Sequence, residues 1–497
     1  MGALAAQPLD RLLTGTTVHI RGNPQVSINS IATDSRATQP GALFFCLQGE
    51  RVDGHDFASA AVAAGAVAVV AKRPLQLPED VTLALVADPL TALSPVAAAF
   101  YGQPSRQLTC IGITGTNGKT TTTFLVEAMA RAADLRFGVT GTLGAWLDEA
   151  RLEELSNTTP FAHELQHLLA HFRDAGAQGA VIEVSSHALE LHRVDDIEFD
   201  VVAQTNLSHD HLDFHGTFEA YRDAKRKLFL ANNPQRTKPI PSAVLNLDDP
   251  EGKTLAHLLK RSLTFGINNA QAVFNATDIV LRADGSQFTV SALRPSPFVL
   301  RLPGPFNVSN AMAALAIGCA LDLDVEAMAE GLESVRQIPG RMVSLPARDA
   351  TVFVDYAHTP DGMEKVLNAA RAVSQNRVLC VFGCGGNRDR SKRPLMGRIA
   401  QELADYVILT NDNPRHEDPQ SIIADITAGM NGSTGRREII PDRSRAIGRA
   451  IALAQAGDVV VIAGKGHESY QLVGDDRIPF SDVAVAESAI RQVLQCR

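Results

Sequence analysis

The sequence predicts an α/β protein of three domains: a smaller N-terminal α/β domain, a central domain with a parallel sheet behind a phosphate-binding loop, and a C-terminal doubly wound, Rossmann-like domain. Three observations carry this. The chain has 497 residues, room for about three domains at ~150 residues each. Short β-branched apolar runs alternate with helix-length mixed segments, the rhythm of parallel βαβ units. One of those runs leads directly into a Gly-Lys-Thr loop followed by a helical stretch.

Residues 1–105 are expected to form the N-terminal domain, in which an Ala-rich segment from Asp56 meets Gly65 and then the run AVAVV: a helix, a glycine stop and a buried strand. The polar break from Tyr101 to Gln107, with Gly102 and Pro104, sets a boundary near residue 106. Residues 106–339 form the expected central domain, with strands at LTCIGI (108–113), GAVIEV (179–184), FDVVAQT (199–205) and SAVLNL (242–247). From Ala272 to Leu302 short alternating strands punctuated by Gly and Pro predict an antiparallel appendage, and a helical stretch runs from Ala311 to Val335. After Pro339-Gly340 the rhythm restarts over residues 340–497, where TVFVDYA, RVLCVFG, DYVILTND, REIIPD and DVVVIAGKG are five apolar strands of a sheet whose ligands sit beyond the carboxyl ends.

Composition excludes several classes. With 45% hydrophobic and 20% charged residues the chain is neither disordered nor fibrous. Lys and Arg number 46 against 55 Asp and Glu, and a net charge of −9 has the wrong sign for bulk attraction to nucleic acid or anionic membrane. An anionic ligand therefore needs a local pocket. The six cysteines, at 46, 110, 319, 380, 384 and 496, contain no Cys-x-x-Cys pair and read as reduced thiols. No basic region precedes an apolar core at the N-terminus, and Ala6 stands where a myristoylation signal wants Ser or Thr. The most apolar stretch, Ala60 to Ala71, is broken by Gly65 and stops at Lys72, short of the ~20 residues that span a bilayer. A soluble cytoplasmic protein, without export signal or lipid anchor, is the expectation.

The phosphate loop is Gly115, Thr116, Asn117, Gly118, Lys119, Thr120 and Thr121, between the strand ending at Ile113 and the helical run from Thr122. Glycines let backbone N–H groups converge on phosphate oxygens, Lys119 can reach the β and γ phosphates, and the Thr120 hydroxyl can ligate Mg²⁺. Ile113 occupies the first glycine position of the strict pattern, so a tight turn with a capping threonine is the competing reading. Glu183 ends one strand, and Asn206 to His215 (NLSHDHLDFH) follows the next. A carboxylate and an imidazole there suit cations shared with a nucleotide, since Mg²⁺ wants a few hard ligands plus phosphate oxygens. A zinc site on His209, His211 and His215, or a solvated polar loop, are the alternatives.

Taken together, TGTNGKTT, the Glu183 strand end, NLSHDH, AYRDAK, FNVSNAMAA and DYAHTPDGM after Gly340-Arg341 resemble the ATP-dependent Mur ligases of peptidoglycan synthesis, in order over nearly the whole chain. The resemblance implies an ADP-forming acid–amino-acid ligase whose small-molecule substrates are ATP, UDP-MurNAc-L-Ala-D-Glu and an amino acid, acting through an acyl phosphate; because the phosphate loop and the amino-acid residues then fall on different domains, the C-terminal domain is expected to close for each turnover. It implies that Asn310, Arg341 and Asp355 join the loop at the nucleotide, and that Thr33, Ser35, Asn157, Thr158, Thr159, Ser185 and Arg193 hold the UDP-muramoyl peptide. It also implies catalytic roles for Lys119, Glu183, His211 and Lys225. Cation ligands would be Thr120, Glu183, His211 and Lys225, the last as a CO₂-derived carbamate (N6-carboxylysine). Within the family the tetrad Asp412-Asn413-Pro414-Arg415 resembles the branch that adds meso-diaminopimelate, with Arg388, Gly464 and Glu468 at matching positions. Arg offers a rigid fork for a carboxylate, and diaminopimelate differs from lysine by a distal carboxylate. A monomer is expected, with no nucleic-acid or membrane partner. A lysine-adding Mur ligase, a folylpolyglutamate-type synthetase, a P-loop kinase and a nucleotide-gated binding module remain as other readings.

Overall fold

The computed structural model describes residues 6–49, 52–230, 236–259, 261–347, 350–430 and 436–495, so Cys496 lies outside the described residues. The chain divides into two compact units. The first is Met1–Thr114 with Leu135–Val202 and Ala224–Pro241, and the second is Gly115–Asp134 with Ala203–Asp223 and Ser242–Arg497.

In the first unit, strands Ser30–Ala32, Ala42–Phe45, Ala66–Ala71 and Thr82–Val86 pair in parallel in that order, and Val18–Arg21 lies antiparallel on Thr82–Val86. The two-residue period of a strand explains why both faces are apolar. Leu43 and Phe45 pack with Val70, Val96 and Phe100 on one side, and Ala42 and Phe44 pack with Ala58, Ala61 and Val69 on the other. The helix Ala58–Ala63 stops before Gly65, whose φ of +108° a side chain rarely adopts and where a Cβ would stand 2.8 Å from Pro40 Cα. The same unit holds the parallel strands Phe137–Gly141, Gly179–Glu183 and Thr109–Thr114, with Gly179–Glu183 in the middle. Strand Val201–Gln204 carries the chain across the division.

In the second unit, Ser242–Asn246, Ser262–Ile267 and Phe274–Arg282 are parallel, and Gly285–Val290 and Arg294–Leu300 complete the expected antiparallel appendage. Helices Lys119–Ala132, Pro305–Ala320 and Val325–Ser334 pack on one another, so closely that a Cβ at Gly331 would lie 2.5 Å from Met129 Cα. A six-stranded sheet has the order Val343–Ala347, Ala350–Asp355, Val459–Ala463, Val378–Phe382, Tyr406–Leu409, Arg436–Ile439. All its pairings are parallel except the first. Val378, Cys380 and Phe382 face one core and Leu379 and Val381 the other, the two buried faces of a doubly wound sheet. The five expected strands are present, and Val343–Ala347 is a sixth at the antiparallel edge. Among the described residues no helix is long and apolar enough to cross a membrane.

Candidate active site

The phosphate loop leaves its strand at Thr114 and enters the helix Lys119–Ala132 through Gly118, which serves as N-cap with φ +87°. Both loop glycines are required by crowding: a Cβ on Gly115 would stand 1.9 Å from Thr205 Oγ1, and one on Gly118 2.2 Å from Asn310 Oδ1. Lys119 folds back, its Nζ donating to the Gly115 and Thr116 carbonyls at 2.8 and 2.9 Å. The ammonium is thus held over the curve where phosphate oxygens would converge with backbone N–H groups at the positive end of the helix.

The loop after Val201–Gln204 braces this curve. Asn206 O accepts from Thr116 N at 2.8 Å, Asn206 Oδ1 accepts from Asn117 N at 3.0 Å, and Asn206 Nδ2 donates to Asn117 O at 3.0 Å. Thr205 Oγ1 also donates to Asn117 O, at 2.6 Å. The Thr116 hydroxyl sits between Ser208 N at 2.9 Å and the buried Tyr221 hydroxyl at 2.9 Å. These contacts preset the backbone before any ligand arrives. The same loop carries His211, in a left-handed conformation with φ +54° and its Nε2 3.4 Å from Asp210 Oδ2. Burial would raise the Asp210 carboxyl, but His211, His358 and Lys392 outweigh it and hold it below the usual range.

Two of the three residues expected at the nucleotide from later in the chain, Arg341 and Asn310, meet this loop or its helix. Arg341 Nη2 donates to Thr120 Oγ1 at 3.1 Å and its guanidinium lies 4.7 Å from the centre of the Tyr356 ring. Asn310 is buried against Gly118 and donates to Asn307 Oδ1 at 3.1 Å. Asp355, also buried, accepts from the Met342 and Ala357 amides at 2.8 and 2.7 Å. Burial raises its carboxyl, against the pull of Arg341 and those amides. Asn117 further donates to Asp361, which Lys365 pairs at 2.8 Å. Tyr221, Ser208 and Asp361 escaped the sequence reading because their roles rest on contacts between segments distant in the chain.

The amino-acid tetrad lies beyond the carboxyl end of strand Tyr406–Leu409. Arg415 has φ +53°, is half-buried, and donates from Nη1 to Gly386 O at 2.9 Å and from its amide to Leu472 O at 3.0 Å. Burial and then Arg388 pull its guanidinium below its usual value, while Asp412 and Glu468 act in the other direction, so all four lie in one electrostatic neighbourhood. Asn413 Nδ2 donates to Glu468 Oε2 at 2.8 Å. Gly464 has φ +116°, and a Cβ there would come within 2.7 Å of Asp412 Oδ2. The neighbouring turn is held by Arg393, fully buried, which donates to Gly385 O at 3.1 Å and pairs Glu417 through two 2.7 Å bonds. That pairing holds the Glu417 carboxyl down at about 2.

In the first unit Glu183 is buried, accepting from Thr142 N at 3.0 Å and Thr142 Oγ1 at 3.1 Å. Thr158 meets the Thr142 hydroxyl at 3.1 Å, and Thr159 donates to Glu183 O at 2.8 Å and receives Ser185 N at 3.0 Å. Arg193 donates to Thr159 O at 2.7 Å and stacks over Phe161 at 4.3 Å. These residues gather in one place. Asn157 instead lines a cavity of about 320 Å³ with Tyr101, Glu153, His163 and His167. His163 and His167 are four apart on the helix Ala162–Asp174, a spacing that metal-binding helices use. Among the described residues, however, no group of three or more His, Cys, Asp or Glu is placed to hold a metal ion. Thr33 and Ser35 flank Asp34, which caps the short helix Ser35–Ala37, and Lys225 is buried on the helix Phe218–Leu230. Glu183 and Lys225 belong to the first unit, and Thr120 and His211 to the second. The hydroxyl, carboxylate and imidazole donors of this set are of the hard and borderline kind that suit Mg²⁺.

A strand, a braced glycine loop and a helix N-terminus, with an Arg and an Asn supplied from later in the chain, define a nucleotide-binding α/β protein that also carries a polar cluster of mixed charge around Arg415. Residues 27–101, 113–318 and 340–466 match the profiles described as Mur ligase family catalytic domain, Mur ligase middle domain, and Mur ligase glutamate ligase domain. The chain is 44% identical over 98% of its length to the UDP-N-acetylmuramoyl-L-alanyl-D-glutamate–2,6-diaminopimelate ligase of Geobacillus thermodenitrificans, covering 99% of that protein. It is 46% identical over 94% of its length to the ligase of the same name from Synechococcus elongatus, covering 95% of that one. A solved structure of a ligase with that name aligns at 34% identity over 95% of this chain and 97% of its own, with a TM-score of 0.66. The folylpolyglutamate synthase of Mycobacterium tuberculosis, solved with ADP and AMPPCP, shares the fold at 20% identity, over 81% of this chain and 94% of its own, with a TM-score of 0.60. The chain belongs to the Mur ligase family, and it is a ligase of the α/β architecture read from the sequence.

Proposed function

We propose that this ligase joins meso-diaminopimelate to UDP-MurNAc-L-Ala-D-Glu at the expense of ATP, releasing ADP and phosphate, in the cytoplasm and as a monomer. The observation that carries the amino-acid choice is the charge cluster around Arg415: two guanidinium groups, Arg388 and Arg415, beside two carboxylates, Asp412 and Glu468. Diaminopimelate carries two carboxylates and two ammonium groups, and this charge pattern is its complement. Lysine lacks the distal carboxylate that a guanidinium would clasp.

The reaction we infer has two displacements. The γ-carboxylate oxygen of the D-glutamyl residue attacks the γ-phosphorus of ATP, the bond to the β–γ bridging oxygen breaks, and ADP leaves an acyl phosphate. The amine of diaminopimelate then attacks the acyl carbon, the carbon–oxygen bond breaks with its electrons leaving on phosphate, and the amine loses a proton. Lys119, the loop amides and Arg341 would bear the charge spread over the transferring group. Mg²⁺, when bound, would neutralise phosphate charge, with Thr120, Glu183, His211 and a carbamate on Lys225 as its proposed ligands. Thr33, Ser35, Asn157, Thr158, Thr159, Ser185 and Arg193 are proposed for the UDP-muramoyl peptide. The proposed domains are 1–105, 106–339 and 340–497. No protein nucleophile is needed, since positioning and electrostatics supply the rate.

ADP release measured with diaminopimelate and with lysine, on the intact protein and on Arg415→Ala, tests this. The expected result is turnover with diaminopimelate alone, and a loss of about 10- to 100-fold in kcat/KM in the variant, the worth of a charge-assisted contact. Equal use of both amino acids by the intact protein would overturn the assignment.

A further inference from the structure

Next to Gly464 the chain places an ammonium group where exposure is zero. Lys465 follows strand Val459–Ala463, its side chain fully buried, and an isolated buried cation is strongly unfavourable unless paired. Its Nζ lies 2.7 Å from Glu468 Oε2 and 3.0 Å from Asn413 Oδ1, with the Tyr470 ring centre 5.8 Å away. Asn413 closes the triangle, donating from Nδ2 to the same Glu468 oxygen at 2.8 Å and accepting the Leu472 amide on Oδ1 at 3.0 Å. Two donors on Oδ1 and an acceptor facing Nδ2 leave the amide a single satisfied orientation. Glu468 is therefore fixed through one oxygen, Oε2, while Oε1 has no hydrogen bond among the described residues and the side chain stays 19% exposed.

Resting on the diaminopimelate reading above, we propose that Lys465 is a positioning residue of the amino-acid pocket: by clamping Glu468 Oε2 and orienting Asn413 it keeps Glu468 Oε1 aimed at the substrate ammonium, and so sets the affinity for the incoming amino acid. Lys465 touches neither nucleotide nor acyl group in this role. Its removal should act on one substrate and through one carboxylate.

The test is a double-mutant cycle of Lys465→Met and Glu468→Gln in the full-length enzyme, with ADP release as readout. A panel of amino acids is first run on the intact protein, and the cycle uses whichever one it turns over. A preference for lysine would sink the diaminopimelate reading alone, and the cycle run with lysine then decides the Lys465 inference. The expected outcome is a KM for the amino acid raised about 10- to 100-fold in Lys465→Met, with kcat and the KM values for ATP and the UDP-muramoyl dipeptide within about threefold. Lys465→Met should add no more than about twofold to Glu468→Gln, because the carboxylate whose aim the lysine sets is already gone. Additive effects, or a parallel rise in all three KM values, would overturn the inference. Should Lys465→Met fail to fold, Lys465→Gln retains a donor without the charge, and the same two comparisons decide.

Discussion

Gly118→Ala is the sharpest probe of the phosphate loop. Two separable penalties follow from its surroundings. At φ +87° a residue with a Cβ bears about 1–2 kcal/mol of left-handed strain. The new methyl would also stand 2.2 Å from Asn310 Oδ1, and Asn310 cannot swing away without giving up its 3.1 Å bond to the buried Asn307, worth about 1 kcal/mol. Together these amount to about 2–3 kcal/mol against the conformation that aims the loop amides at phosphate, so ATP binding should weaken about 30- to 150-fold. Calorimetric titration with ATP reads this directly. Gly216→Ala is the control, because φ there is +76° yet nothing lies within 4 Å of the added carbon. It should lose about 1 kcal/mol of stability from strain alone and keep its ATP affinity within about threefold. If Gly118→Ala binds ATP as well as the parent, or Gly216→Ala loses as much affinity, the steric argument is wrong.

Burial, and to a lesser degree His167, lowers the His163 imidazole to about 4. The unfolded chain therefore takes up a proton near pH 6.5 that the folded one refuses, so this group's contribution is intact above about pH 6.5 and drains away as pH falls towards 4. Between about pH 7 and pH 4.5 the parent should lose about 2 kcal/mol more than His163→Phe, read by urea unfolding of each; equal losses would mean the imidazole is not shielded. Arg443 and Asp482, both with zero side-chain exposure and joined by two 2.7 Å bonds, tie the last helix to the core. Asp482→Asn should cost about 3–5 kcal/mol, and Arg443→Met with Asp482→Leu should recover most of it in thermal unfolding. Glu183→Gln keeps the shape that receives Thr142 and should melt within a few degrees of the parent. It should nevertheless lose about 100-fold or more in kcat, as expected for a proposed cation ligand.

Legibility from sequence followed range. The phosphate loop was readable because strand, glycines and helix are contiguous; only its start was misjudged, the helix beginning at Lys119 rather than Thr122 because Gly118 takes the left-handed cap. The apolar strands of the last sheet were readable for the same reason. Val343–Ala347 was not, since VSLPA is a partly exposed edge strand with a proline and no continuous apolar run. Strand Val18–Arg21 alternates half-buried and exposed positions over only four residues, too weak a signal to register. Arg415 is legible in the sequence only as a member of its tetrad, and the backbone bond that anchors it runs to Leu472, far along the chain. Lys465 lies in the run DVVVIAGKG with nothing local to mark it, because only three dimensions supply the carboxylate and amide that make a buried lysine tolerable.

The hydrogen bonds from Arg341 to Thr120 and from Asn117 to Asp361 join positions 221 and 244 residues apart. During synthesis, then, the glycine curve emerges from the ribosome well before its finishing pieces exist. A nascent chain halted at the second boundary would already display Gly115 to Thr121 but not Arg341, which meets Thr120, or Asp361, which meets Asn117. On the proposed site, competence to hold ATP is expected late in translation, and truncation products, however well their early sheets have formed, should be unable to sequester it.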